Sequence, residues 1–371
     1  MVTSPPYHYG SPVGPDHFCD RADELAAIVG RMLSATNVIL LSPRRYGKTS
    51  LLALAAARAR ARRARIAQVN LLRCASRREV TQAVIDAAAK EILESRRRSV
   101  AAWVGRLRVR PSVTVGLDGS LSVRFEPGLA DRDWEGTLVD TFALVEERAK
   151  VSPVSVVLDE FQHVAEIDPG LPGVFKALAD AAPSASLVFA GSHAHLMERL
   201  TASPGAPLLD MGEVIRLGPV PEAAMVAYLQ ERAASAGKVM GDDVAAAIWK
   251  KGGPVPNDVQ RLAYASFEVA ASVIDLASVD AGMHRVVSHQ ASMYADRFER
   301  LAAGHQRILL VLAASPTTQP FSRAFLDSVE MANANGVRKA LRALEEQELL
   351  VLRDGRRTVA DPFLREWLLT P

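Results

Sequence analysis

Short apolar runs alternate with longer stretches whose apolar residues recur every three or four positions, through the first 217 residues of the chain. This pattern predicts strands at 36–42, 65–72, 154–159, 186–190 and 213–217. Helices are predicted at 50–64, 76–98, 134–150, 171–182 and 195–201. Strands that alternate with helices imply an α/β unit with a parallel sheet covered on both faces. One interruption stands apart: Val113, Val115 and Leu117 precede Asp118-Gly119, and Leu121, Val123 and Phe125 follow it, which predicts a β-hairpin inserted at about 108–126. Beyond residue 217 the strand pattern stops, and helices are predicted at 221–236, 242–250, 257–271 and 278–302. From 305 the order becomes three helices (305–314, 322–328, 335–346), a strand at 349–352, a turn at Asp354-Gly355 and a strand at 358–359. Three helices followed by a two-stranded wing describe a winged helix. The expected divisions are therefore 1–217, 218–302 and 303–371.

A length of 371 residues with 49% apolar composition suits two or three compact units. The first fifteen residues, rich in Pro, Ser and Gly, read as a tail without the basic and apolar regions of a secretory signal. No apolar run reaches the roughly 20 residues needed to span a bilayer. Cys19 and Cys74 form neither a disulfide framework nor a metal cluster, and a reducing cytoplasm is the expected compartment. Charge is unevenly spread. Between Arg58 and Arg110, fourteen arginines and Lys90 face only Glu79, Asp86, Glu91 and Glu94, a local balance of +11 in a chain of net charge +2. Such a segment is either a surface for a polyanion or a solvated helix face.

The chemistry concentrates at the exit of the first strand. Ser42-Pro43-Arg44-Arg45-Tyr46-Gly47-Lys48-Thr49 has the Gly-Lys-Thr of a Walker A loop, with Ser42 at the position of its first Gly, and a helix follows from Ser50. Such a loop turns backbone N–H groups and a helix N-terminus toward phosphate; Lys48 reaches the β/γ oxygens, and the Thr49 hydroxyl ligates Mg²⁺. The apolar strand ending in Asp159-Glu160 supplies the Walker B carboxylates: Asp159 for the metal, Glu160 to orient and deprotonate the attacking water. At the end of the next strand Ser192 and His193 are candidates to sense the γ-phosphate. These motifs predict an ATPase that binds ATP or ADP with Mg²⁺.

With the motifs in place, the sequence from about Phe18 to Trp367 resembles the archaeal-type ATPases of the STAND branch, relatives of AAA+ proteins. The stretch from Phe18 through Arg21 to Leu25 is similar to a box that precedes the P-loop in that family. The run from Pro43 to Leu52 is similar to its Walker A, and Leu158-Asp159-Glu160-Phe161-Gln162 to its Walker B. Gly252-Gly253-Pro254 resembles a Gly-Gly-x-Pro motif at a lid helix. Ala360-Asp361-Pro362 through Trp367 resembles the end of the winged-helix region. The resemblance implies a P-loop NTPase of the ASCE or AAA+ type, with parallel-sheet core, helical lid and C-terminal winged helix. It also implies nucleotide contacts from Phe18, Arg21, the loop residues 43–50 including Ser50, and Pro254. One departure is clear: Pro207-Leu208 continues into Leu209-Asp210-Met211, without the tyrosine and arginine found there in many members, which leaves Arg199 and Arg216 as substitutes.

Asn257 and Arg261, one turn apart, are second-sensor candidates. In the third helix of the winged region Asn335 is the expected N-cap; Arg338, Lys339 and Arg342 share one side, and Arg356 and Arg357 sit at the wing. They offer a DNA-phosphate surface, as do the arginines of residues 58–65. Two functions follow: an ATPase coupled to nucleic-acid transactions, or a switch whose ATP or ADP state governs homo-oligomer or protein-partner assembly.

Overall fold

The computed structural model describes residues 4–93, 112–115, 121–124 and 131–370. The chain folds into two compact units, Pro12–Pro219 and Val220–Pro371, the latter joined by the stretch up to Ser11. Within the first unit, strands β1 (Val38–Leu41), β2 (Arg65–Asn70), β5 (Val154–Asp159), β6 (Ser186–Gly191) and β7 (Glu213–Arg216) form one sheet in the order β2-β5-β6-β1-β7, all parallel. β3 (Ser112–Val115) and β4 (Leu121–Arg124) pair antiparallel in a separate sheet, Val113 opposite Val123. The expected Asp118-Gly119 turn between them lies outside the described residues.

Alternation along the strands sorts side chains to two cores. Ile39, Leu41, Val156, Leu158, Leu187 and Phe189 face one layer, with α3 (Arg77–Leu93), α4 (Asp131–Ala149) and α6 (Leu171–Ala181). Val38, Leu40, Val157, Val188 and Ala190 face the other, built from α1 (Ala22–Leu33) and α2 (Lys48–Ala61). Both faces of β1, β5 and β6 are fully buried, which is why these strands read as unbroken apolar runs. The short α5 (Gln162–Ile167) and α7 (Ala194–Thr201) follow β5 and β6.

The second unit contains α8 (Glu222–Ser235), α9 (Asp242–Gly252), α10 (Pro256–Val269) and α11 (Leu276–Glu299). Two residues each of β8 (Val239–Met240) and β9 (Val273–Ile274) pair in parallel, a link too short to show in a hydrophobic pattern. Then come α12 (Ala303–Ala314), α13 (Arg323–Ser328), α14 (Ala334–Glu346) and a hairpin of β10 (Leu350–Arg353) and β11 (Arg356–Val359). The hairpin turn has positive φ at Asp354 (48°) and Gly355 (73°), as a tight two-residue connection requires. A last helix, α15 (Pro362–Leu369), gives a local reason for the terminal motif: Asp361 caps it by accepting from the N–H groups of Phe363 (2.8 Å) and Leu364 (3.2 Å), and Pro362 occupies its first turn. Trp367 then stacks near Tyr294 and Phe298, with ring centres 6.1 and 5.8 Å away.

Two expectations are corrected. The chain's start is not a tail throughout: Tyr7 is 2% exposed, donates to the Leu229 carbonyl (2.9 Å) and meets Phe267 edge to face. An aromatic ring removes enough apolar surface from water to hold a Pro/Gly-rich segment in place. The N-cap of α14 is Asn333, whose Oδ1 accepts from Gly336 N–H (2.9 Å), whereas Asn335 lies inside the helix and accepts from Arg338 (2.7 Å). Among the described residues no helix is long and apolar enough to cross a membrane, and neither Cys19 nor Cys74 forms a disulfide.

Candidate active site

Three loops meet at the C-terminal ends of β1, β5 and β6. The β1 exit has positive φ at Arg45 (69°) and Gly47 (88°), a backbone path that turns N–H groups inward as in anion-binding turns. Gly47 is the N-cap of α2 and makes no side-chain cap bond, so the positive end of the helix dipole opens onto this loop, where it favours an anion. A Cβ at Gly47 would have open space around it, so the glycine is required by its φ and not by crowding. Pro43, Arg44 and Arg45 are exposed, and Tyr46 is half-buried.

Lys48, 5% exposed, donates to Asp159 and, at 2.8 Å, to Oε1 of Glu160. Thr49 Oγ1 lies 3.3 Å from Asp159 Oδ2. A hydroxyl and a carboxylate oxygen side by side are the hard donors that Mg²⁺ takes, usually from one or two protein groups together with substrate phosphates and water. Among the described residues no group of three or more His, Cys, Asp or Glu could hold a metal. The Thr49 hydroxyl and the Asp159 carboxylate fit a metal whose remaining ligands come from phosphate and water.

Glu160 follows β5 with φ +58°, a left-handed turn rare outside glycine. Its carboxylate is bound on both sides: Lys48 holds Oε1, while Ser192 Oγ (2.6 Å) and Gln162 Nε2 (2.7 Å) donate to Oε2. Burial pushes the Glu160 carboxyl up, but the Lys48 charge and the bonds from Lys48, Ser192 and Gln162 outweigh it and bring it down to about 2. Ser192, a γ-phosphate sensor candidate, is thereby placed on the Walker B glutamate. His193 Nε2 lies 3.1 Å from Arg44, so the candidate sensor histidine and a loop arginine are neighbours.

Other candidates are held in local structure. Ser50 is buried and its hydroxyl accepts from Val13 N–H (3.0 Å), because one step along the helix from Thr49 rotates the side chain away from the Asp159 side. Arg21 is 4% exposed and bonds to Glu24 (3.0 Å) and the Gly218 carbonyl, and Phe18 packs against the apolar layer of α1 and α2. In the second unit, a Cβ at Gly252 would sit 2.8 Å from Val259 Cα, and Gly253, with φ +68°, abuts Arg353. Gly252 is therefore required by the close packing of α9 on α10, and Gly253 by its left-handed φ. Arg261 stacks on Phe363 and Tyr9 (4.9 and 5.8 Å), and Asn257 accepts from Gly10 N–H (2.8 Å). Both second-sensor candidates thus hold the N-terminal stretch and α15.

On the winged helix, Arg342 pairs with Glu346 and Arg357 with Glu345, each at 2.9 Å, and Arg338 lies over Phe321 at 5.1 Å. Lys339 and Arg356 are exposed. Of the +11 segment, Arg58, Arg62 and Arg63 are exposed, Arg60 pairs with Glu91 (2.6 Å), and residues 94–110 lie outside the described residues. Arg199 and Arg216 belong to α7 and β7. The residue that sequence reasoning missed is Gln162, quoted only as part of a motif. Its spacing two residues past Glu160 was its one signal.

Residues 292–370 match the model of a family described as a probable winged helix domain. A search of curated proteins finds no match. Among solved structures, a Walker-type ATPase of Pyrococcus abyssi is similar over 98% of this chain and 100% of its own, with 15% identity and a TM-score of 0.65. The ORC1 protein of Aeropyrum pernix, solved in complex with DNA, is similar over 95% of this chain and 93% of its own, with 15% identity and a TM-score of 0.53. The chain therefore has the fold of the Walker-type P-loop ATPases, an α/β core with parallel sheet, followed by helices and a C-terminal winged helix.

Proposed function

We propose that this chain binds Mg-ATP and hydrolyses it, with Glu160 as the general base. The observation that carries this reading is the convergence of Lys48, Thr49, Asp159 and Glu160 beside an uncapped helix N-terminus. The loop N–H groups and Lys48 hold the phosphates. Thr49 and Asp159 would hold Mg²⁺, which when bound offsets charge on the phosphate oxygens. A water oxygen attacks the γ-phosphorus as its proton passes to Glu160, the bond to the β,γ-bridging oxygen breaks, and ADP and phosphate leave. Ser192 and His193 respond to the presence of the γ-phosphate.

Coupling to DNA is the wider reading, supported by the winged helix, by Lys339, Arg338 and Arg356 on its exposed side, and by a structural neighbour solved with DNA. The pairing of Arg342 and Arg357 with Glu346 and Glu345 favours a second reading, in which this surface meets a protein or another copy of the chain and the nucleotide acts as a switch. Steady-state ATP hydrolysis with and without single- and double-stranded DNA tests both. Turnover stimulated by DNA supports coupling, and slow turnover indifferent to DNA supports the switch. Loss of turnover in Lys48→Ala ties activity to this site, whereas unchanged hydrolysis in that variant overturns the assignment.

A further inference from the structure

We propose that Gln162 is a positioning residue for hydrolysis, fixing Oε2 of Glu160 so that Oε1 is the oxygen that takes the proton of the attacking water. This rests on the reading of Glu160 as the base.

The argument begins with the backbone. β5 ends at Asp159, and the left-handed φ of Glu160 turns the chain sharply before α5. The turn is fixed on its far side by Phe161, whose N–H donates to the Ala190 carbonyl (2.9 Å) and whose buried ring meets Phe175 and Phe189 edge to face, centres 5.5 and 4.8 Å away. Gln162 therefore starts its helix from a rigid point, and its side chain folds back onto the residue two before it. A carboxylate only accepts hydrogen bonds, so the amide must present its NH₂ to Glu160. That orientation leaves Gln162 Oε1 buried without a hydrogen-bond partner among the described residues, on a side chain only 3% exposed. An orphaned buried acceptor is unfavourable. A residue chosen for packing alone would be apolar here.

The surroundings keep the amide in place. A Cβ at Gly191, the last residue of β6, would lie 2.6 Å from Gln162 Oε1 and 2.3 Å from Met197 Cγ. The strand thus ends in glycine where the amide occupies the space a side chain would need. Ser192, the next residue, sends its hydroxyl to the same Oε2. Two neutral donors from two elements consequently fix one oxygen of the base. Among the described residues the other oxygen is bonded by a cation, Lys48, whose role at the phosphates draws it to the substrate. Asp159 is tied to the same lysine and donates no bond to Glu160; it accepts from the Glu160 N–H at 2.9 Å.

The experiment compares Gln162→Met, Gln162→Glu and Ser192→Ala with Glu160→Gln, measuring kcat, KM for ATP, the pH dependence of kcat, nucleotide affinity and thermal stability. Gln162→Met keeps the volume and removes the donor. It should lower kcat roughly ten- to a hundredfold, part of the 10²–10⁴ a general base contributes, with nucleotide affinity unchanged. In Gln162→Glu two facing carboxylates compete for one proton, so the acid limb of kcat should move to higher pH. Ser192→Ala and Gln162→Met should combine less than additively, because both act on one oxygen. The proposal is overturned if Gln162→Met retains parental kcat. It is equally overturned if kcat, affinity and melting temperature fall together while the Gln162→Glu pH profile superimposes on the parent. Glu160→Gln separates the two claims: full activity there removes the base assignment itself, whereas an inactive Glu160→Gln beside an unaffected Gln162→Met removes only the role of Gln162.

Discussion

Glu160→Gln perturbs one oxygen-bonded carboxylate at the centre of the site, and the structure sets both of its expected effects. The carboxyl lies at about 2 in the folded chain against an ordinary 4.5, and each pKa unit corresponds to about 1.4 kcal/mol. Glu160 therefore contributes on the order of 3 kcal/mol of stability to its unit. Because the folded value is depressed, this contribution is present above pH 4.5 and is lost as pH falls toward 2. About 2 kcal/mol of it should be gone by pH 3, since the unfolded chain is then largely protonated at this group and the folded chain is not. Glutamine does not titrate. The stability of parent minus variant should therefore fall by about 2 kcal/mol between pH 6 and pH 3, as read by urea titration with amide exchange in β5, which reports the Pro12–Pro219 unit alone. In parallel the variant should bind ATP with parental affinity and turn over roughly 10²- to 10⁴-fold more slowly. A stability difference that is the same at pH 6 and pH 3 would refute the electrostatic account of the site, and parental turnover would refute the catalytic one.

Other perturbations reach different parts of the molecule. Gly191→Ala places a methyl 2.3 Å from Met197 Cγ and 2.6 Å from the Gln162 amide; it should cost about 1–3 kcal/mol by denaturant unfolding and reduce kcat, and an unperturbed variant would show that α7 yields freely. Tyr7→Ala should destabilise the Val220–Pro371 unit by about 3–5 kcal/mol, and Tyr7→Phe by about 1 kcal/mol for the lost bond to Leu229. Equal, negligible effects of both would show that the N-terminal segment adds no stability. If DNA binds the winged helix, Lys339→Gln with Arg356→Gln should make the log–log salt slope shallower by roughly 0.9 per lost phosphate contact, measured by fluorescence anisotropy at several salt concentrations. An unchanged slope would move the contact elsewhere, with Arg58, Arg62 and Arg63 next to be tested.

Much of the fold was readable because it rests on local periodicity and burial on both faces. β1, β5 and β6 are buried throughout, so each appears as an apolar run, and their order with intervening helices implies parallel pairing. The winged helix was readable from its helix spacing and its Asp354-Gly355 turn. The candidate site residues Lys48, Thr49, Asp159 and Glu160 could be singled out because phosphate and metal chemistry require those residue types at strand exits. Less was legible where short-range signals compete. Asn333 and Asn335 are equal as caps in sequence, and only the start of α14 decides between them. β8 and β9, with two residues each, carry no period at all.

The sequence by itself determined the order of elements, the loop that ends in Gly-Lys-Thr and the pair of carboxylates, since these depend on residue type and near-neighbour spacing. Tertiary structure alone decided the lateral order of the strands, which places β6 between β1 and β5 and so carries Ser192 to Glu160 across 32 positions of chain. It also decided which motif residues serve packing. Gly252 makes room for Val259, Gly253 abuts Arg353, and Tyr9 and Gly10 occupy Arg261 and Asn257. The physical reason is common to all of these. A side chain's chemistry is fixed by its type, but its partner is fixed by close packing between segments far apart in the chain, and no local pattern records which surfaces will meet.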